Sequence, residues 1–296
     1  MFYWGLNYGF YSCTKLLAAM LFSTDGLWEV AESHGVSILH AEHKAWTKIF
    51  FPITEVGVQH FFMNGHEHIL TFLNRAYSLV HIPGTVFFIS WYYFSAPNHA
   101  TFATARRTMT LCNFIAFSIF SIWPCMPPRL LHSKFGFHDT VRHDNAQSVW
   151  QSGKYVNQLA AMPSLHFSYA FTIGCTLIYH SAIFRRRSDL TPSRVKQAFF
   201  VLLGVFYPAL VLTVIVATAN HYWLDAVAGF FVVLVAFLCN RVFLVLLPLE
   251  DLFLWCTRLE KPAPTTGENS GVIAKERVLG HGHGRKPSWY RGPDVV

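Results

Sequence analysis

The stretch from Ala198 to Ala219 carries no charged side chain. A run of about 20 apolar residues is what a helix needs to cross a hydrocarbon core. Four further blocks repeat the pattern: Ala76 to Phe94, Met109 to Met126, Phe167 to Phe184 and Ala226 to Leu249. Each holds one strongly polar residue, in turn His81, Asn113, His180 and Arg241. Met1 to Phe22 is aromatic-rich and contains Lys15. It lacks a basic start and a small-residue cleavage site, which argues against a removable signal peptide. The pattern predicts an all-α, polytopic transmembrane helix bundle with about six spanning helices.

Charge points the same way. The formal charge is +7, a value that can signal nucleic acid. Here the basic residues sit in the connections between apolar blocks. Arg106 and Arg107 precede one block; Arg185, Arg186, Arg187, Arg194 and Lys196 fill another connection; Arg258, Lys261, Lys275, Arg277, Arg285, Lys286 and Arg291 follow the last block. With six crossings these regions share one face, and the positive-inside rule makes that face cytoplasmic. A membrane, and no nucleic acid, is the expected partner.

The chain then divides into three parts. Residues 1–68 read as an N-terminal span plus an interfacial amphipathic segment broken at Pro52. Residues 69–250 form the membrane core. Residues 251–296 are rich in Pro, Gly and charge and are expected to form a disordered cytoplasmic tail. The six cysteines are scattered, mostly within apolar blocks and without metal or redox spacing, and read as buried, unpaired thiols. "HEH" at 66–68 and "HGHG" at 281–284 offer too few ligands for a metal site. No metal and no cofactor is expected.

Three polar islands interrupt the apolar blocks near their ends. "PPRLL" places Arg129 just beyond a block. "AAMPSLH" places Ser164 and His166 at the start of the next, with Pro163 suited to the first position of a helix. "ANHYWLDAVAG" places His221 and Asp225 at the start of the last. Along the zig-zag of spans, all three fall at the boundary opposite the basic loops. His221 and Asp225, four apart, share one helical face. A carboxylate on one imidazole nitrogen fixes the tautomer and frees the other nitrogen to attack. Arg129 offers a planar fork that matches phosphate. A helix N-terminus carrying Ser164 and His166 is suited to an anion. Each element alone has a bland alternative: a helix-end ion pair, an interfacial histidine, an arginine reaching for lipid head groups. Together they suit phosphoryl transfer, in which one histidine attacks phosphorus and the other protonates the leaving oxygen.

These motifs resemble the type-2 phosphatidic acid phosphatase superfamily of membrane phosphoesterases. They are most similar to its inositolphosphotransferase branch, which includes fungal inositol phosphorylceramide synthases. The resemblance spans about residues 70–250. It implies a six-helix bundle with its site on the non-cytoplasmic face. It implies His221 as the nucleophile that becomes phosphohistidine, Asp225 as its orienter, His166 as acid and base for the leaving group, and Arg129 as a phosphate ligand. Three positions depart from the wider superfamily pattern: Ile122 stands for a lysine, Leu165 for a glycine, and Val214 and Ile215 for a Ser-Arg pair. The leucine fits the inositolphosphotransferase branch. The two missing cations weaken a phosphomonoester reading, since a diester carries less charge, and argue against vanadate-dependent haloperoxidases. Lys154 or Arg142 are candidate substitutes.

The leading expectation is a membrane phosphotransferase or phosphoesterase acting on a lipid phosphoester in the bilayer. A lipid or prenyl phosphate phosphatase is the alternative within enzymes. A catalytically idle membrane scaffold or carrier is the alternative outside them.

Overall fold

A computed structural model describes residues 2–21, 24–44, 49, 51–79, 81–140, 158–184, 192–259 and 266. Arg142, Lys154 and the "HGHG" stretch lie outside the described residues. The fold is mostly helical, with no strand among the described residues. The helices are α1 (Phe2–Leu21), α2 (Thr24–Glu42), α3 (Glu55–Met63), α4 (Glu67–Leu79), α5 (His81–Ser95) and α6 (His99–Ile122). There follow α7 (Leu165–His180), α8 (Arg194–Ala217), α9 (Trp223–Cys239) and α10 (Leu247–Thr257).

Short polar side chains set many of the starts. Thr54 Oγ1 accepts from Gly57 N, Asn98 Oδ1 from Thr101 N, Ser164 Oγ from Phe167 N and Ser193 Oγ from Lys196 N. Each satisfies a backbone donor that the first helical turn leaves free. The end of α6 comes just before Pro124, which cannot donate to the ladder.

Two helices, α8 and the run from Trp223 to Thr257, are long and apolar enough to cross a membrane. Their outer faces are bare: Phe199, Leu202, Phe206, Phe231, Leu234 and Leu238 all stand exposed. Contiguous apolar surface of this kind marks a face that water does not cover in the working protein. On the inner side α7 and α8 cross closely. A Cβ on Gly204 would lie 2.7 Å from the carbonyl oxygen of Gly174, so the crossing requires glycine at both positions, in the way small residues let membrane helices approach.

The polar islands gather at one end of the bundle. At the other end, His180 of α7 packs against Trp91 of α5 and Phe200 of α8. There Arg107 of α6 donates from Nε to Asn240 Oδ1 at 3.3 Å. The ends of α5, α7 and α9 and the starts of α6 and α8 thus lie together, opposite the islands.

The block Ala76 to Phe94 lies in α4, described to Leu79, and α5, described from His81. Three sequence expectations change. The first helical residue of α7 is Leu165, with Ser164 as its cap and Pro163 one step outside. A capping serine fixes the start more firmly than a proline that merely tolerates it. The chain remains helical past Glu250, through Thr257, because Leu252, Phe253, Leu254 and Trp255 continue the apolar pattern. Finally, of the six cysteines only Cys112 and Cys125 are buried, while Cys13, Cys175, Cys239 and Cys256 are exposed. The helix α2 sends Ala31, Ile38 and Leu39 into a core with Cys125, Met126, Leu131, Leu159, Ala161 and Tyr222. That core lies directly beneath the polar islands.

Candidate active site

Backbone hydrogen bonds lace the three islands together. Cys125 N donates to Leu159 O at 2.8 Å and Ala161 N to Cys125 O at 3.2 Å. Arg129 N donates to Ala219 O at 2.9 Å, and Ser164 N to Asp225 O at 3.0 Å. The side chain of Tyr222 closes the frame, donating from its hydroxyl to Met126 O at 2.9 Å. Segments about 35 to 95 residues apart are thereby fixed to one another without relying on side-chain packing alone.

The loop that presents His221 is unusually tight. Both Asn220 N and His221 N donate to Ile215 O, at 3.0 and 3.2 Å. Ala219 adopts a left-handed conformation, φ 52°, which costs a non-glycine residue about 1 kcal/mol. Arg129 N bonds its carbonyl, and the residue is fully buried, so the surrounding contacts hold the strain in place.

His221 is 4% exposed. Its Nδ1 lies 2.7 Å from Ala161 O and 3.2 Å from Asp225 Oδ2. A carbonyl oxygen only accepts, so Nδ1 carries the hydrogen. Nε2 is left with its lone pair, and it lies 3.3 Å from His166 Nδ1. The expected attacking atom and the expected proton carrier therefore face each other. Asp225 Oδ2 also accepts from Tyr222 N at 2.9 Å, so one carboxylate oxygen both caps α9 and steadies the imidazole.

His166 contacts two further rings. Tyr77 stacks on it at 4.4 Å between ring centroids, and His81 lies at 4.5 Å. His81 also meets Tyr169 edge-on, and Tyr169 donates to Asn113 Oδ1 at 2.8 Å. These ring contacts hold the plane of the imidazole.

Arg129 joins the site through Asn220. Its Nε donates to Asn220 Oδ1 at 2.8 Å, and Nη1 donates to both oxygens of Asp139 at 3.1 Å. Among the described residues Nη2 makes no hydrogen bond, so that end of the fork is open. Asp139 is itself set by α3 and α4: Gln59 exchanges hydrogen bonds with the backbone of His138, and Asn74 reaches Thr140. Ser164 is buried, and its oxygen is the cap of α7; its hydroxyl also holds a hydrogen to donate.

The structure thus brings His166, His221, Asp225, Ser164 and Arg129 to one end of the bundle. It adds Tyr77, His81, Asp139 and Asn220, which sequence reasoning did not assign. Asn220 stands beside His221 in the "NHYWLD" island, and His81 stood out as a polar residue in an apolar block. Tyr77 and Asp139 gave no local signal. Among the described residues no group of His, Cys, Asp or Glu can hold a metal ion. In "HEH" at 66–68, His66 Nδ1 simply bonds the carbonyl of Phe61.

No curated protein and no solved structure matches the chain significantly. A model of the PAP2 superfamily matches residues 43–239, well over half of its length and including every residue of the constellation just described. Members of that superfamily are generally phosphatases and typically membrane-associated. The chain belongs to the PAP2 superfamily.

Proposed function

We propose that this protein is an integral membrane enzyme that cleaves a lipid phosphoester through a phosphohistidine on His221, and that it belongs to the inositolphosphotransferase branch. The observation that carries the reading is the pairing of His221 Nε2 with His166 Nδ1 at 3.3 Å, with Nδ1 of His221 pinned by Ala161 and Asp225.

The steps follow from those atoms. The phosphoryl group enters between the two imidazoles, which part to admit it. The Nε2 lone pair attacks phosphorus, and the bond from phosphorus to the leaving oxygen breaks. His166 gives its Nδ1 proton to that oxygen. Asp225 stabilises the positive charge that grows on the His221 ring. The open Nη2 of Arg129 and the hydroxyl of Ser164 donate to the phosphoryl oxygens, an electrostatic contribution made where charge develops. A lipid hydroxyl or water then attacks phosphorus, His166 takes up the attacking group's proton, and the P–N bond breaks.

A specific observation favours transfer between diesters over hydrolysis of monoesters. Asp139 already neutralises Arg129, and the superfamily's other two cation positions hold Ile122 and Ile215. Such a site suits a phosphate with one negative charge better than one with two. Transfer of inositol phosphate to a sphingolipid is the reaction we favour; a lipid or prenyl phosphate phosphatase is the alternative. We assign the spans to α1, α5, α6, α7, α8 and α9, the site to the non-cytoplasmic face and the basic loops to the cytoplasm.

The test is a product analysis of detergent-solubilised wild type and His221→Ala, given phosphatidylinositol with and without ceramide. A ceramide-dependent phospholipid that the variant fails to make is the expected result. Head-group phosphate released without ceramide makes the protein a hydrolase. Equal products from both proteins overturn the phosphohistidine reading.

A further inference from the structure

The first turn of α9 carries Asp225, and its backbone donors have an unusual set of partners. Tyr222 N donates to Asp225 Oδ2, Trp223 N to Glu55 Oε1 at 3.3 Å, and Leu224 N to Glu42 Oε1 at 2.6 Å. Three successive N–H groups thus meet three carboxyls, and two of those come from about 170 and 180 residues upstream. Glu42 ends α2 and Glu55 begins α3. Both are fully buried, as is Asp225. Their oxygens meet adjacent N–H groups, so the two carboxyls are neighbours in a buried site, where like charges disfavour ionising both.

We propose that Glu42 and Glu55 are positioning residues for the His221 chemistry: a proton-sharing carboxyl pair that clamps the first turn of α9 and thereby holds Asp225 against His221. The proposal rests on the phosphohistidine reading. Its physical basis is that acceptors on the first N–H groups fix a helix start, and a carboxylate there also meets the positive end of the helix dipole. Three full negative charges in one dry pocket would repel, so the shared proton is part of the clamp. Burial, then the neighbouring Glu55, pushes the Glu42 carboxyl up to about 10. The other titratable groups facing the pair include His43, whose Nε2 lies 3.7 Å from Glu55 Oε2, Asp225 with His221 beyond it, and the Tyr222 hydroxyl with Cys125 beside it. Burial pushes both the Tyr222 hydroxyl and the Cys125 thiol up, so neither supplies a competing charge.

The sign of the pH effect follows. The folded protein holds the Glu42 proton from about 4.5, the ordinary value, up to about 10. Over that window the folded state binds more protons than the unfolded one, so the pair's contribution to stability is full at the acid end and is lost as pH rises. Loss of the shared proton also leaves two carboxylates competing at one helix start.

The experiment uses full-length protein in detergent with three variants: Glu42→Ala, Glu42→Gln and the control His221→Ala. For Glu42→Ala the expected result is a fall in kcat of about ten- to a hundredfold at unchanged KM, the scale on which a small misplacement acts. Glu42→Gln keeps an acceptor for Leu224 N and a donor for Glu55, so it recovers most of that loss. It also flattens the decline of kcat and of Tm towards alkaline pH. Equal losses in the alanine and glutamine variants, or an unchanged alkaline limb in Glu42→Gln, overturn the clamp. The Tm profile needs no substrate. If His221→Ala proves as active as wild type, the phosphohistidine reading fails while the clamp is still decided by whether Glu42→Gln flattens the Tm profile.

Discussion

Asp225→Asn separates two roles that a carboxylate beside a catalytic histidine usually combines. Asp225 Oδ2 accepts from His221 Nδ1 and from Tyr222 N, while Oδ1 is buried without a hydrogen-bond partner among the described residues. An asparagine therefore fits with its oxygen in the Oδ2 position and its amide nitrogen in the Oδ1 position. Both hydrogen bonds survive, and only the charge is lost. The tautomer survives too, because Ala161 O at 2.7 Å still requires the hydrogen on Nδ1. A hydrogen bond to a charged group contributes about 1.5–3 kcal/mol and a neutral one about 0.5–1.5, so two bonds lose about 2–3 kcal/mol together. At about 1.4 kcal/mol per tenfold, kcat falls roughly 30- to 150-fold. Asp225→Ala also uncaps α9 and should fall well below that. The assay is the initial rate on the lipid phosphoester identified with His221→Ala as the blank, read beside near-ultraviolet circular dichroism to confirm folding. An Asp225→Asn rate indistinguishable from the His221→Ala blank would refute the tautomer argument. A wild-type rate would refute the electrostatic one.

Two further outcomes test the frame around the histidines. Arg129→Lys loses the fork that joins Asn220 and Asp139 at once; kcat/KM should fall by more than tenfold, and a variant within twofold of wild type removes Arg129 from the site. Gly229→Ala puts a Cβ 2.9 Å from both Ser164 O and Ser168 Oγ; this overpacking costs about 1–3 kcal/mol and pushes the start of α7 from α9. Thermal unfolding should show the lower Tm, and rate assays a loss of kcat that Gly174-side changes of equal Tm do not share.

Much of this was legible in the sequence because the chemistry is local. His221 lies in the loop just before the cap of α9 rather than on the helical face the spacing suggested, and Asp225 lies in its first turn; Ser164 caps the turn that carries His166, so each pair needs only a helix start to bring it together. The alternation of long apolar blocks then carries the three islands to the same end of the bundle. What stayed hidden has partners far along the chain. Glu42, Glu55, Gln59 and Asn74 look like the polar face of a surface helix, yet all four are fully buried. Each bonds backbone or side-chain groups that only the fold supplies, such as Trp223 N, Leu224 N, His138 O and Thr140. Gly174 and Gly204 were equally silent, because a close crossing between two single glycines on different helices leaves no motif on either.

The missing cations illustrate the same limit and give the last prediction. The sequence records Ile122 and Ile215 where the superfamily pattern has basic residues, but not whether the chain could take them back. Ile215 is fully buried, and its carbonyl receives both Asn220 N and His221 N. The position therefore serves the site through its backbone, and its side chain is packed in apolar surroundings beside Val214, Val216 and Ala217, all buried. An arginine there is a buried charge with no prepared partner, and it should destabilise the protein by about 3–5 kcal/mol. Ile122 is 75% exposed, so a lysine there should change stability by no more than about 0.5 kcal/mol. Its side chain stands exposed, whereas His221 is buried. Neither Ile215→Arg nor Ile122→Lys should then create activity on a lipid phosphomonoester. Strong phosphomonoesterase activity in Ile122→Lys would mean that the site is limited by charge alone. The diester preference would then have to be sought elsewhere than in the Arg129–Asp139 pair.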